Sequence, residues 1–281
     1  MLRFLGFCIA LATVQPVFAQ ESGGQGNETK DRLWEVLQIS SLMPVLQDEA
    51  VVEATGMEGT LFPRGGTGQW IELVKQIHDP KRLEDLFREG ADKRLDQGDS
   101  RLIEKAEEFY ESDLGKRILA QEFKVRIDFV SKENEDKAKL DFARAEEEGS
   151  SRVDLINRLI DEADLIEPNV AGGMNAIMAF SRGFSDGGGY PMPMDHQQIL
   201  TYTMEQEPQL RSDTQDWIGA YLMTAYAPLS DAELERFIDF SVSPEGRALS
   251  EAMFAGFDLL YNKTSYELGM AAASQISGRE L

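Results

Sequence analysis

Leu229–Leu260 reads LSDAELERFIDFSVSPEGRALSEAMFAGFDLL. It encodes two helices joined by a sharp corner, and the fold is decided there. Ser230 is placed to cap the first helix, and Glu233 three residues later completes an S-x-x-E capping box. Leu234, Phe237, Ile238 and Ser241 then fall on one helical face. Ser243 is placed to cap the second helix. Pro244 sits at the first helical position, where a missing N–H costs nothing, and Glu245 favours the positive helix start. Gly246, Leu249, Met253, Phe257 and Leu260 form the inner stripe of this second helix. The pattern specifies a shape and no reaction.

The same pattern returns 131 positions earlier. SRLIEKAEEFYESDLGKRILAQEFKVRIDFV, from Ser100 to Val130, aligns without a gap on Asp231–Tyr261. Phe109 matches Phe240, Ser112 matches Ser243, Gly115 matches Gly246 and Phe123 matches Phe254. Lys116 replaces Arg247, Ile118 replaces Leu249 and Phe129 replaces Leu260. Upstream, Leu86-Phe87 stands opposite Trp217-Ile218. The spacing indicates an internal duplication. A glycine at the third position of each second helix costs helix stability, roughly 1 kcal/mol against alanine. Close approach of a neighbouring helix is the expected compensation.

Glu233–Gly246 follows E-L-x-x-[FI]-I-x-F-x-x-S-P-x-G. In this it resembles the signature region of the bacterial exported proteins of domain-of-unknown-function family 2059. The likeness covers roughly a sixth of the chain. The first copy departs from it, with Asp113 in place of the proline and Ala106 in place of a large apolar residue. The resemblance implies an all-helical periplasmic protein and carries over no catalytic residue.

The amino terminus, MLRFLGFCIALATVQPVFAQ, reads as a secretory leader. Arg3 supplies the positive charge, and Phe4 to Val14 form an apolar core too short to span a bilayer. Val17-Phe18-Ala19 fits the small-residue cleavage rule, so residues 1–19 are expected to be removed after Ala19. Phe7 before Cys8 does not fit a lipoprotein site. Cleavage removes the single cysteine, leaving no disulfide, thiolate nucleophile or cysteine metal site. The exported chain must then be held by its core, and its length suffices for one. No later stretch is long and apolar enough to cross a membrane. The net charge is −22, with no basic cluster. Nucleic acid and anionic membrane surfaces are therefore poor partners.

Residues 20–30, polar and glycine-rich, are expected to be disordered. Residues 31–149 form the first helical repeat and residues 150–281 the second, with Gly149-Ser150-Ser151 as the boundary. Pro44 is expected to interrupt or kink the first helix. Gly56, Gly59, Pro63 and Arg64-Gly65-Gly66-Thr67-Gly68 mark a loop region; RGGTG lacks the lysine and preceding strand of a phosphate loop and reads as a turn. One long helix is expected from Ser112 through KENEDKAKLDFARAEEEG. Gly183 to Pro193 reads as a loop, and two helices follow, around Ile199–Met204 and Thr214–Ala225. The expected class is all-α: two related helical-bundle halves packed into one body.

Candidate chemistry is sparse. Gly183-Phe184-Ser185-Asp186-Gly187 matches G-x-S-x-G, with His196 as the one downstream base. The serine-hydrolase elbow needs a strand before the serine and a helix after it, whereas here a helix precedes and a loop follows. Met192, Met194 and His196 are candidate ligands for soft Cu(I), with Met174 and Met178 one turn apart as additions. The competing reading makes the methionines core filler and His196 the start of a helix. Glu104, Glu107, Glu108 and Glu111 lack the Glu-x-x-His partner of a bundle metal site and read as a solvated face. A groove between the repeats, lined by Phe254, Phe257, Tyr261 and Tyr266, is a third candidate, for a lipid tail or a partner helix. No catalytic residue and no cofactor is assigned. The expected role is a non-enzymatic periplasmic binding or interaction protein of the cell envelope, with an unidentified protein or small-molecule partner. Small-ligand, lipid or Cu(I) binding stands second and serine hydrolysis third.

Overall fold

The computed structural model describes residues 25–62 and 68–277. The leader, its cleavage site and all of RGGTG but Gly68 lie outside the described residues. Among the described residues there are twelve α-helices and no strand, so the protein is all-α. They are α1 (Gln25–Val36), α2 (Ile39–Leu61), α3 (Trp70–Ile77), α4 (Pro80–Leu95), α5 (Ser100–Glu111) and α6 (Asp113–Asp128). After these come α7 (Lys132–Glu147), α8 (Ser151–Glu162), α9 (Ile166–Asp186), α10 (His196–Tyr226), α11 (Asp231–Ser241) and α12 (Pro244–Ser277).

The two corners have nearly the same local geometry. The Ser243 Oγ accepts from the Gly246 N–H at 3.1 Å and donates to the Phe240 carbonyl at 2.6 Å. The Ser112 Oγ accepts from the Gly115 N–H at 3.1 Å and donates to the Phe109 carbonyl at 2.6 Å. The Ser230–Glu233 capping box is formed in full. Both corner glycines answer to close approach: a Cβ on Gly115 would lie 2.2 Å from the Phe109 carbonyl oxygen, and one on Gly246 2.2 Å from that of Phe240. The chain folds back so tightly there that only glycine fits. Phe109 and Phe240, equivalent in the alignment, stack on each other with centroids 3.7 Å apart and planes 4° from parallel.

The two sequence halves do not make separate cores. One buried cluster runs from Leu33 and Trp34 of α1 through Ile118 of α6 to Leu234, Leu249 and Leu260 of α11 and α12. The last helix is the hub, packing on α4 and α5 of the first half and on α9 of its own. At the α9 crossing the backbones nearly touch, since a Cβ on Gly183 would lie 2.0 Å from the Tyr266 carbonyl oxygen. A smaller cluster (Ala54, Phe62, Trp70, Val74, Leu268, Ala271 and Ala272) sits at the far end of α12.

Several boundaries differ from the sequence expectation. Helix α1 begins at Gln25, inside the segment expected to be disordered. Its other end is docked by buried Leu33 and Trp34, and Lys30 pairs with Asp96 at 2.7 Å, so its polar turns extend an anchored helix rather than nucleating one. The first break falls at Gln38, in the left-handed region at φ 55°, and Pro44 lies inside α2. Near a helix start proline removes a single i→i−4 bond. Helix α2 also runs through Gly56 and Gly59, held near its end by the Trp70 indole N–H donating to the Ala54 carbonyl at 3.0 Å. The helix after Ser112 is two helices: α6 stops at Asp128 because Phe129 turns inward onto Trp217 and Tyr221. Conversely, the two helices expected after His196 are one, α10, 31 residues long with Pro208 inside. Arg211 holds Glu207 at 2.7 Å, tying together the turns on either side of that proline. The loop expected from Gly183 starts later, because α9 continues to Asp186.

Candidate functional site

The sequence candidates are placed as follows. Ser185 lies in the last turn of α9. Its Oγ accepts from the Met194 N–H at 2.9 Å, fastening the α9–α10 loop onto the helix. The motif's Gly183 is required by the α12 crossing. The G-x-S-x-G spacing thus has a packing explanation and lacks the strand–turn–helix frame of an elbow. Asp195 caps α10 through a full capping box with Gln198, and His196 opens that helix, exposed. Met192 is 80% exposed, and Met194 is half-buried in the same loop. Met178 and Met174 lie about 12 and 18 Å along α9 from Asp186 at the usual helical rise. No group of three or more His, Cys, Asp or Glu suited to a metal occurs among the described residues. Glu107 and Glu111 both pair with Arg32, so α1 covers part of the acidic face. Of the four groove residues, Phe257 is buried against Phe87 at 4.9 Å, and the Tyr266 hydroxyl donates to Asp186 at 3.0 Å. Tyr261 alone reaches the cleft described next.

That cleft opens where the main core meets the smaller cluster and has about 110 Å³ of free space. Helix α2 contributes Leu46, Glu49, Val52, Glu53 and Met57, and α10 contributes Trp217. Helix α12 contributes Leu260, Tyr261, Thr264 and Leu268, and the α6–α7 turn contributes Phe129 and Val130. Both halves therefore line it. Arg126 of α6, Glu135 of α7, His78 at the end of α3 and Ser265 of α12 supply its remaining charged and polar groups.

Arg126 is only 5% exposed. Its Nε and Nη2 reach the Glu49 carboxylate at 2.5 and 2.7 Å, and its guanidinium carbon sits 5.5 Å from the Trp217 ring centre. Burial opposes its charge, but the Glu49 carboxylate and its hydrogen bonds outweigh that, so the guanidinium stays charged. Burial pushes the Tyr261 phenol up to about 12, against the pull of Arg126. Glu135, 2% exposed, is held by Lys139 at 2.8 Å.

His78 follows from the local sequence. Asp79 caps α4 and Pro80 opens it, so α3 must stop. The His78 Nδ1 lies 2.9 Å from the Val74 carbonyl oxygen. A carbonyl only accepts, so Nδ1 carries the hydrogen and Nε2 is a bare acceptor. Burial holds its pKa down at about 4, with the Val74 bond opposing and the Arg82 charge assisting. The ring is neutral at physiological pH.

One turn before Arg126, Glu122 is also buried. The Tyr226 hydroxyl donates to its Oε1 at 2.5 Å, and the Tyr221 hydroxyl donates to its backbone carbonyl at 2.8 Å. Burial raises its pKa to about 7, with the Tyr226 bond opposing.

Sequence reasoning passed over Glu122 and Arg126. The signal was present: in the repeat alignment they stand opposite Met253 and Phe257 of the apolar stripe. A charge at a stripe position of one copy, where the other copy is apolar, marks a buried ionisable group. No family model, curated protein or solved structure matches this chain.

Proposed function

We propose that this protein is a non-enzymatic binding protein of the bacterial envelope, exported by its leader, whose duplicated helical halves hold a small, largely apolar molecule in the cleft beside Arg126. The observation that carries this is the cleft itself: apolar walls from both halves around a few buried polar groups, the usual make-up of a ligand site. Cavities on the order of 150 Å³ take a benzene-sized molecule. A space of about 110 Å³ therefore suits a short alkyl stem or small ring better than a drug-sized ligand. The stacking of Phe109 on Phe240 supports the duplication.

Native mass spectrometry of the protein purified from its own envelope fraction tests this reading. The expected result is a retained small mass that Ala50→Phe, which fills the cleft from a half-buried position, abolishes. A bare polypeptide mass, together with no binding of short-chain apolar probes, would overturn it. Deleting residues 1–19 is expected to leave the chain in the cytoplasm; an unchanged envelope location would refute the leader.

A further inference from the structure

We propose that the ligand of this cleft is uncharged: a short alkyl or aryl stem whose head is at most a hydroxyl. The inference rests on the binding reading above and adds the charge class of the ligand.

The observation that carries it is that the charges around the cleft are already matched within the protein. Arg126 and Glu49 close on each other through two hydrogen bonds, at 2.5 and 2.7 Å, and the Trp217 ring lies against the guanidinium. Glu135 is held by Lys139 at 2.8 Å. Glu53 is half-buried and has an interaction of its own. Arg82, the charge beside His78, is taken by the Ile77 carbonyl at 2.5 Å and by Glu267 at 2.6 Å. The two other titratable groups of the lining are neutral at physiological pH, because burial holds His78 down at about 4 and Tyr261 up at about 12. What the lining leaves for a ligand is hydroxyls. The Thr264 hydroxyl donates to the Leu260 carbonyl at 3.0 Å, and Ser265 lies beside it in the same wall. A hydroxyl both donates and accepts, so it favours neither sign of charge. An ion entering this lining would give up water and displace an existing pair to gain a counter-charge. Burying a charge without a partner costs far more than burying a hydroxyl. The apolar walls (Val52, Phe129 and Leu268 among them) take the stem.

The test titrates the mature full-length protein calorimetrically at one neutral pH with 1-hexanol, hexylamine and hexanoate, which share a stem and differ in the head. Hexanol is expected to bind at least tenfold more tightly than either ion. Glu49→Gln leaves the Arg126 guanidinium without its counter-charge and should raise the affinity for hexanoate at least tenfold relative to hexanol. If that variant fails to fold, Lys139→Met, which strips Glu135 of its partner, must raise the affinity for hexylammonium relative to hexanol instead. Hexyl glucoside, with the same stem and a bulky neutral head, distinguishes the source: binding equal to that of hexanol assigns the cleft to the end of a lipid-like chain, weaker binding to a free small molecule. Either ion binding as tightly as hexanol, or unchanged ratios in a folded unpaired variant, overturns the neutral assignment and leaves the binding reading standing. Failure of all these probes to bind overturns both.

Discussion

The first corner, α5–α6, and the second, α11–α12, share a backbone and differ in what they bury. Their serine caps agree in distance, their glycines meet equivalent carbonyls at 2.2 Å, and their phenylalanines stack on one another. Beyond the glycine, α12 continues as apolar stripe with Met253 and Phe257. At the same two positions α6 buries Glu122 and Arg126. Replacing packed apolar residues by buried charge costs stability unless each charge is paired. The first copy therefore carries groups that the shape of the corner does not require. That asymmetry, more than the corner itself, marks where this fold does something other than hold together.

Breaking the asymmetry should produce the largest effect. Glu49→Ala leaves the Arg126 guanidinium buried without its carboxylate, and such orphaned charges cost about 3–5 kcal/mol. The equivalent apolar restoration, Glu49→Ala with Arg126→Met, should recover most of that loss in urea unfolding. A double variant no more stable than the single one would show that the pair is not what holds α2 on α6.

Glu122 gives the next effect, and it depends on pH. Its folded pKa of about 7 lies above the ordinary carboxylate value of 4.5. The native state therefore binds the proton more tightly than the unfolded chain. Its contribution is fully favourable below about pH 4.5 and is lost as pH rises to about 7. Glu122→Gln keeps an acceptor for Tyr226 and removes the charge. The variant should match the parent near pH 4.5 and exceed it by about 3 kcal/mol at pH 8, from the size of the shift. A gain that does not change with pH would refute the buried, titrating carboxylate.

The corners themselves supply the two smaller effects, which sharpen their likeness. Gly115→Ala and Gly246→Ala each force a methyl against a carbonyl oxygen and should cost about 1–3 kcal/mol, as overpacking does, by nearly the same amount in thermal unfolding. Ser112→Ala and Ser243→Ala each remove one cap, worth about 1 kcal/mol. A large inequality within either pair would show that the corners are alike in outline alone.

Much of this was legible in the chain. The capping serines and the corner glycines were readable because caps and close helix approaches are specified by neighbours three or four residues apart. Helix ends were less so. The breaks at Gln38 and Phe129 and the continuity through Pro208 were not readable, because they depend on distant partners. Phe129 turns in because Trp217 and Tyr221 wait for it, and α10 passes Pro208 with Arg211 holding Glu207. The methionine–histidine loop carries a helix start, with a capping box at Asp195 and the Met194 N–H bonded to Ser185. The cleft was least legible, since Glu49, His78, Arg126 and Trp217 come from four separate helices and helix ends.

By itself the sequence determined an all-helical chain with two matching corners, because helical period, caps and glycine spacing are local properties written within a few residues. Only the tertiary structure decided that the halves share one core around α12, that Arg126 is paired, and that His78 presents a bare acceptor. Those facts depend on which helices pack together, and packing sets the burial from which a side chain's charge, partners and protonation follow.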